Sequence, residues 1–192
     1  MIPFPDKKYK IIYIDPPWQY DDKAKSGNRG AESKYDVMSL EDICNLPVKQ
    51  ISDQDCVLFI WGTWPLNREV HQVIDAWGFE YRTVGFVWEK TNPKTNTVFL
   101  GMGNWTRSNT EYCLLATKGK PKRVDASISQ LIRSPILDHS EKPDEVRQKI
   151  VKLCGDLPRI ELFARIKAYG WDSWGLEVPH DQDIINSWFI KI

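Results

Sequence analysis

Tyr9-Lys10-Ile11-Ile12-Tyr13-Ile14, closed by Asp15-Pro16-Pro17-Trp18, is the stretch from which the fold is read. Isoleucine and tyrosine, interrupted only by Lys10, predict a buried strand. A carboxylate that ends such a strand stands where open α/β sheets take their ligands, outside the carboxyl ends of the strands. Neither Pro16 nor Pro17 has a backbone N–H, and the residue before each proline is driven to extended geometry. The tetrapeptide therefore offers a carboxylate and carbonyls but few donors, which suits an NH₂ group as ligand. Two acceptors on the hydrogens of a nucleobase amine draw electron density back to a nitrogen whose lone pair is delocalised into the ring. Trp18 supplies a flat apolar wall on which a base can stack. Asp15, Pro16, Pro17 and Trp18 are the candidate catalytic residues.

Outward from this strand the pattern alternates. Residues 55–61 predict a second buried strand, and 65–77 a helix with Leu66, Val70, Val73, Ile74 and Trp77 on one face, stopped by Gly78. Further strands are expected at 84–88, 111–117 and 159–163, with a helix over 143–154 carrying Val146, Ile150, Val151 and Leu153. Strand and helix in repetition predict an α/β fold with a doubly wound, mostly parallel sheet. A single domain is expected over 1–192, with 1–8 as an N-terminal extension and 179–192 as a C-terminal tail. Two polar stretches interrupt the pattern, 19–37 and 91–109, and long loops in a compact domain are usually functional. The first leaves the rim where Asp15 sits and is expected to gate the substrate, with Tyr20 and Tyr35 as base-stacking candidates.

Composition narrows the classes. No run of 18 or more apolar residues occurs and the start does not resemble a signal peptide, so a soluble, cytoplasmic protein without a membrane partner is expected. Cys44, Cys56, Cys113 and Cys154 lack paired spacing, and His71, His139 and His180 are isolated, so neither a metal site nor a disulfide framework is indicated. A net charge of zero excludes a uniformly basic binder, leaving phosphate contacts to local patches such as 118–123 or Lys23, Lys25 and Arg29.

The residues resemble a known family. Asp15-Pro16-Pro17-Trp18 after a hydrophobic strand is similar to the motif of MT-A-type N6-adenine methyltransferases, the family of the mRNA adenosine-N6 methyltransferase, and this chain resembles its short bacterial and phage members. Gly103-Asn104-Trp105 with Asn109-Thr110-Glu111-Tyr112-Cys113-Leu114 resembles the segment before the family's central strand. Lys142-Pro143-Asp144-Glu145, then Ile160-Glu161-Leu162-Phe163-Ala164-Arg165, resembles its cofactor half. Gly170-Trp171-Asp172-Ser173-Trp174-Gly175 is similar to the closing segment of bacterial members.

That resemblance implies a Rossmann-like fold in permuted motif order, with S-adenosylmethionine as cofactor. Lys142 would pair with the methionine carboxylate, Asp15 hold the cofactor's amino group, Arg165 reach the ribose and Phe163 line the site. Glu161 would make a ribose or indirect contact. Leu176 stands where members usually carry Asn, leaving the closing ribose contact to Glu177, and Ile166-Lys167 replaces a Pro-His pair. Trp105 is expected to wall the substrate pocket beside Trp18 and Tyr35, with Glu111 and Arg133 at family positions near the substrate. The expected activity is methyl transfer to adenine N6 in DNA, the base being flipped out or taken from a single strand. RNA as substrate, transfer to cytosine N4, and a non-catalytic nucleic-acid-binding partner subunit are the alternatives. A homodimer or partner subunit is expected to serve target recognition.

Overall fold

The computed structural model describes residues 3–19, 37–103, 105–137 and 141–175. The opening run is strand β1, Tyr9–Ile14. Two short helices, α1 (Leu40–Cys44) and α2 (Val48–Ile51), lead into β2, Ser52–Gly62. A 3₁₀ turn at Trp64–Leu66, with Pro65 in its first positions, opens α3, Asn67–Ala76. The helix ends as expected, with Gly78 at φ 75°, a left-handed conformation open to a residue without Cβ. Strands β3 (Glu80–Thr91), β4 (Thr110–Lys118) and β5 (Leu131–Pro135) precede α4 (Glu145–Cys154), β6 (Arg159–Leu162) and β7 (Asp172–Trp174).

Among the described residues these strands form one sheet in the order β5-β3-β4-β2-β1-β6-β7. Every neighbouring pair is parallel except β2–β4 and β3–β4, so β4 alone runs backwards. The reason is the connection. Parallel neighbours need a crossover, usually a helix, and the described residues between β3 and β4 contain none. The consequence for the site is direct: β4 begins at the rim where the other strands end.

The pleat sends alternate residues to two cores. Ile12, Ile14, Leu58 and Ile60 face α1, α2 and α3, packing on Ile43, Val48, Val70, Val73, Ile74 and Trp77. Ile11, Tyr13, Phe59 and Trp61 face α4, packing on Val146, Ile150 and Cys154. Helices on both faces make the sheet doubly wound. Tyr9 lies with the first set although its parity matches the second, because β1 has a bulge: Lys10 and Ile11 both donate to the Pro158 carbonyl, at 2.9 and 3.2 Å. Strands β5 and β7 were absent from the sequence expectation; both are short edges, and β5 ends on a proline that only an edge accepts.

Candidate active site

Because β1, β2, β3, β5, β6 and β7 run one way and β4 the other, the ends of the first six and the start of β4 share one rim. Asp15 follows the last residue of β1, Glu111 is the second residue of β4, and Lys90 lies one residue from the end of β3. Lys142 comes from the segment just before α4. These four side chains form a chain of alternating charge. Lys142 Nζ donates to Asp15 Oδ2 at 2.6 Å and lies 3.3 Å from Glu111 Oε2, and Lys90 Nζ donates to Glu111 Oε1. Lys142 also stands over the Trp61 ring, 5.5 Å from its centroid, and Lys90 over that of Trp88 at 5.0 Å.

Exposure along the chain is uneven. The Lys142 side chain is 10% exposed and Glu111 13%, whereas Asp15 keeps 28% at the mouth. Burial pushes the Asp15 carboxyl above its usual range, with Lys142 opposing the rise. Burial acts the same way on Glu111, but Lys142 and Lys90 outweigh it and hold that carboxyl low. Burial opposes the charge on Lys142, yet the Asp15 and Glu111 carboxylates overcome it and keep the amine firmly protonated. Asp15 is thus the group of this set whose charge is least secured, and it is the one at the opening.

The prolines do what their chemistry predicts, with one addition. The Pro16 carbonyl accepts from Trp18 N and the Pro17 carbonyl from Met38 N, each at 2.9 Å. Each carbonyl has a second lone pair, so both remain acceptors. Trp18 departs from the expected open wall: it is 6% exposed, packs in the core and donates its indole N–H to the Trp61 carbonyl at 3.1 Å. Its large ring finds more apolar contact beneath the tetrapeptide than above it, and there it fixes the turn that presents Asp15.

Behind the rim, Glu161 is committed to Arg147. Arg147 donates from Nε and Nη2 to the two carboxylate oxygens at 2.7 and 2.8 Å, donates from Nη1 to Asp144 at 2.8 Å, and lies over the Tyr13 ring. Burial raises the Glu161 carboxyl and Arg147 counters it. Phe163, directly after β6, is half-buried with φ 56° and meets Trp174 edge-on at 5.2 Å between centroids. Strain of this kind in a residue with a Cβ is found where the surroundings over-determine it, often beside a ligand. Arg165 lies close enough to act on the Asp15 charge.

The remaining expected residues are scattered. Arg133, on β5, stands 3.7 Å from Glu89 at the far edge of the rim. Trp105 is fully in solvent at 99% exposure. Tyr20, Tyr35 and Glu177, most of the expected gate and the tail after 175 lie outside the described residues. The basic patch beginning at Lys118 sits at the opposite end of the sheet, since Lys118 pairs with Cys56 near the start of β2. It is no neighbour of Asp15. Sequence reasoning missed Lys90, Trp61 and Arg147; the available signal for Arg147 was a cation placed on the apolar face of α4.

Burial pushes the Cys56 thiol up to about 12 and Cys154 to about 11, and raises Cys44 and Cys113, so these four thiols stay protonated near neutrality. Among the described residues no group of three His, Cys, Asp or Glu is placed to hold a metal ion, and no helix is long and apolar enough to cross a membrane.

Known proteins resemble this chain along most of its length. The MT-A70 family model matches residues 9–177. The chain is 39% identical over 198 residues to the Type II methyltransferase M.MunI of a Mycoplasma species, covering 93% of this chain and 81% of that one. It is 28% identical over 160 residues to the N(6)-adenosine-methyltransferase catalytic subunit METTL3 of Homo sapiens, covering 82% of this chain and 26% of that one. It is 28% identical over 171 residues to an N(6)-adenosine-methyltransferase MT-A70-like protein of Arabidopsis thaliana, covering 87% and 23%. The chain spans about a quarter of the length of the last two.

Proposed function

The chain belongs to the MT-A70 family and is a methyltransferase, and from that premise we propose that it transfers a methyl group from S-adenosylmethionine to the exocyclic N6 amine of adenine in DNA. The observation that carries the proposal is the partly open Asp15 carboxylate at the head of a turn whose two prolines have carbonyls but no N–H. An amine held by such acceptors is oriented and loses conjugation with its ring, which is the activation it needs. Asp15 acts here by orientation more than by taking a proton away; the proton that N6 must lose on methylation leaves for solvent water at the open mouth.

The donor set also suits the amino-acid end of the cofactor. Asp15 and Lys142 offer a carboxylate for an ammonium and an ammonium for a carboxylate, 2.6 Å apart. Lysine is a compact point charge with three donors, so Lys142 can exchange Asp15 for an incoming carboxylate while Glu111 keeps it charged. Phe163 and Arg165 are the proposed neighbours of the nucleoside part, with Glu177 on the ribose and Glu161 acting at one remove through Arg147. When bound, the cofactor supplies a methyl group already activated by its positive sulfur, and the protein has only to align the amine with it. Trp18 holds the turn; Glu111 and Lys90 keep Lys142 at the mouth.

DNA is chosen over RNA because the similarity to the relative named a Type II methyltransferase is greater, in identity and in share of length, than to those named N(6)-adenosine-methyltransferases. Target recognition is assigned to loops at the rim, together with self-association or a partner subunit. The test is nucleoside analysis after incubation of the protein and S-adenosylmethionine with mixed-sequence DNA or RNA. N6-methyladenine in DNA supports the proposal, the same base in RNA alone transfers it to RNA, and N4-methylcytosine moves the target amine.

A further inference from the structure

We infer that the connection between β3 and β4 is a braced arm that enters duplex DNA, with Trp105 and Met102 wedged into the base stack to hold the duplex open while the target adenine occupies the rim. The inference rests on the proposed DNA activity and assigns the opening of the duplex to particular residues. An adenine paired inside a duplex cannot bring N6 to Asp15, so something must fill the gap it leaves.

Leu100, Met102 and Trp105 are 64%, 82% and 99% exposed, a concentration of large apolar side chains that a surface loop does not hold for its own stability. The arm presenting them is built rather than loose. Lys90 N donates to Asn109 O at 2.9 Å, Phe99 N to Lys90 O at 2.8 Å, and Gly101 N to Ser108 O at 2.9 Å, so the two limbs are laced together from the rim outward. Asn92 and Thr97 pair through backbone and side chain at its flank. The limbs approach so closely that a Cβ on Gly101 would lie 2.5 Å from the Ser108 carbonyl oxygen, and one on Gly103 only 2.1 Å from that of Thr106. Only glycine permits this, and the result is a narrow finger with Met102 and Trp105 near its tip.

Charge selects the partner. Residues 92–109 contain Lys94 and Arg107 and neither Asp nor Glu, a net +2 in a chain whose total is zero. Exposed aromatic and thioether side chains flanked by cations suit a stacked, phosphate-walled ligand: apolar wedges such as Met separate base steps in many DNA-bending proteins, and tryptophan stacks on any base. The finger is also continuous with the site, because Lys90 and Glu111, which bracket its base, are members of the ion chain that holds Lys142. A wedge rooted there acts on the neighbour of the base being modified.

The experiment offers one pool of mixed-sequence DNA as duplex and as separated single strands to the wild-type chain, Trp105→Ala and Trp105→Phe. A single strand has no pair to open, so the wedge predicts a loss on duplex of at least about tenfold for Trp105→Ala, a change of less than about threefold on single strands, and recovery of most duplex activity in Trp105→Phe. Trp105 touches solvent almost everywhere, so the variant is expected to fold. Equal losses on both substrates would overturn the wedge, and a dimer in sedimentation that the substitution dissolves would assign the arm to a second copy of the chain instead. Unchanged duplex activity, or a wild type active on single strands alone, would also overturn it. A wild type that methylates no DNA at all would instead remove the proposed activity on which the inference rests.

Discussion

Two buried cations in this molecule are each held by two carboxylates, and they are built differently. Arg147 grips Glu161 with a fork of two bonds and adds a third to Asp144, so each of its three nitrogens is engaged and the group is fixed in direction. Lys142 touches Asp15 and Glu111 with a single ammonium whose three donors rotate freely about the chain axis. The first arrangement ties α4 to β6 and has nothing to exchange. The second stands at the mouth, where a ligand carboxylate can replace one partner without stranding the charge. The difference teaches that burial and ion pairing alone do not mark a functional site; the exchangeable geometry does.

The sharpest way to break this comparison is Asp15→Ala, which removes the acceptor of the exchangeable set. Methyl transfer is expected to fall on the order of 10³-fold, to the limit of a radiolabel assay, while circular dichroism stays that of the wild type, because Asp15 is partly open and Lys142 retains Glu111. Arg147→Met tests the fixed pair. It leaves Glu161 buried without its partner and is expected to cost about 3–5 kcal/mol in urea unfolding, with most of the loss recovered in the double variant Arg147→Met, Glu161→Leu. If the single variant keeps its stability, Arg147 is not the strut described.

Lys142→Met is expected to weaken cofactor binding by calorimetry roughly 30-fold or more, with a smaller loss of stability than Arg147→Met because the Asp15 end reaches solvent. The same variant has a pH signature. Burial raises the Asp15 carboxyl and Lys142 restrains the rise, so taking Lys142 away moves the acid limb of the activity profile to higher pH. A limb that stays in place would separate Asp15 from Lys142 in function. The smallest effect concerns Glu111. Its carboxyl is held below its unfolded value of about 4.3, so its contribution to stability is present above that pH and lost as pH falls through the folded value. Glu111→Gln should therefore flatten the acid side of the stability curve, which thermal unfolding between about pH 3 and 6 measures.

What the sequence disclosed follows from the physics of each segment. Strands β1, β2 and β6 and helices α3 and α4 announce themselves because they are buried and their apolar runs or 3.6-residue spacing are complete. Strands β5 and β7 carry too few apolar residues, since an edge needs only one covered face. The direction of β4 was hidden for a different reason: it depends on the absence of a crossover helix in 92–109, and a polar stretch does not state how the chain returns. At the site, Asp15, Lys142 and Glu111 were named from their motifs, but the 2.6 Å contact between residues 127 apart in the chain was not visible. Lys90 and Arg147 went unnamed because cations at a strand end or on a helix ordinarily face water. Trp18 was seen as important, with its ring expected on the outer side of the turn that it supports from within.

The most direct test of the central claim, that acceptors at Asp15 present an adenine amine for methylation, is mass spectrometry of nucleosides from DNA incubated with S-adenosylmethionine and either the wild-type chain or folded Asp15→Ala. The account predicts N6-methyladenine from the first and none from the second. Undiminished N6-methyladenine from Asp15→Ala would contradict it.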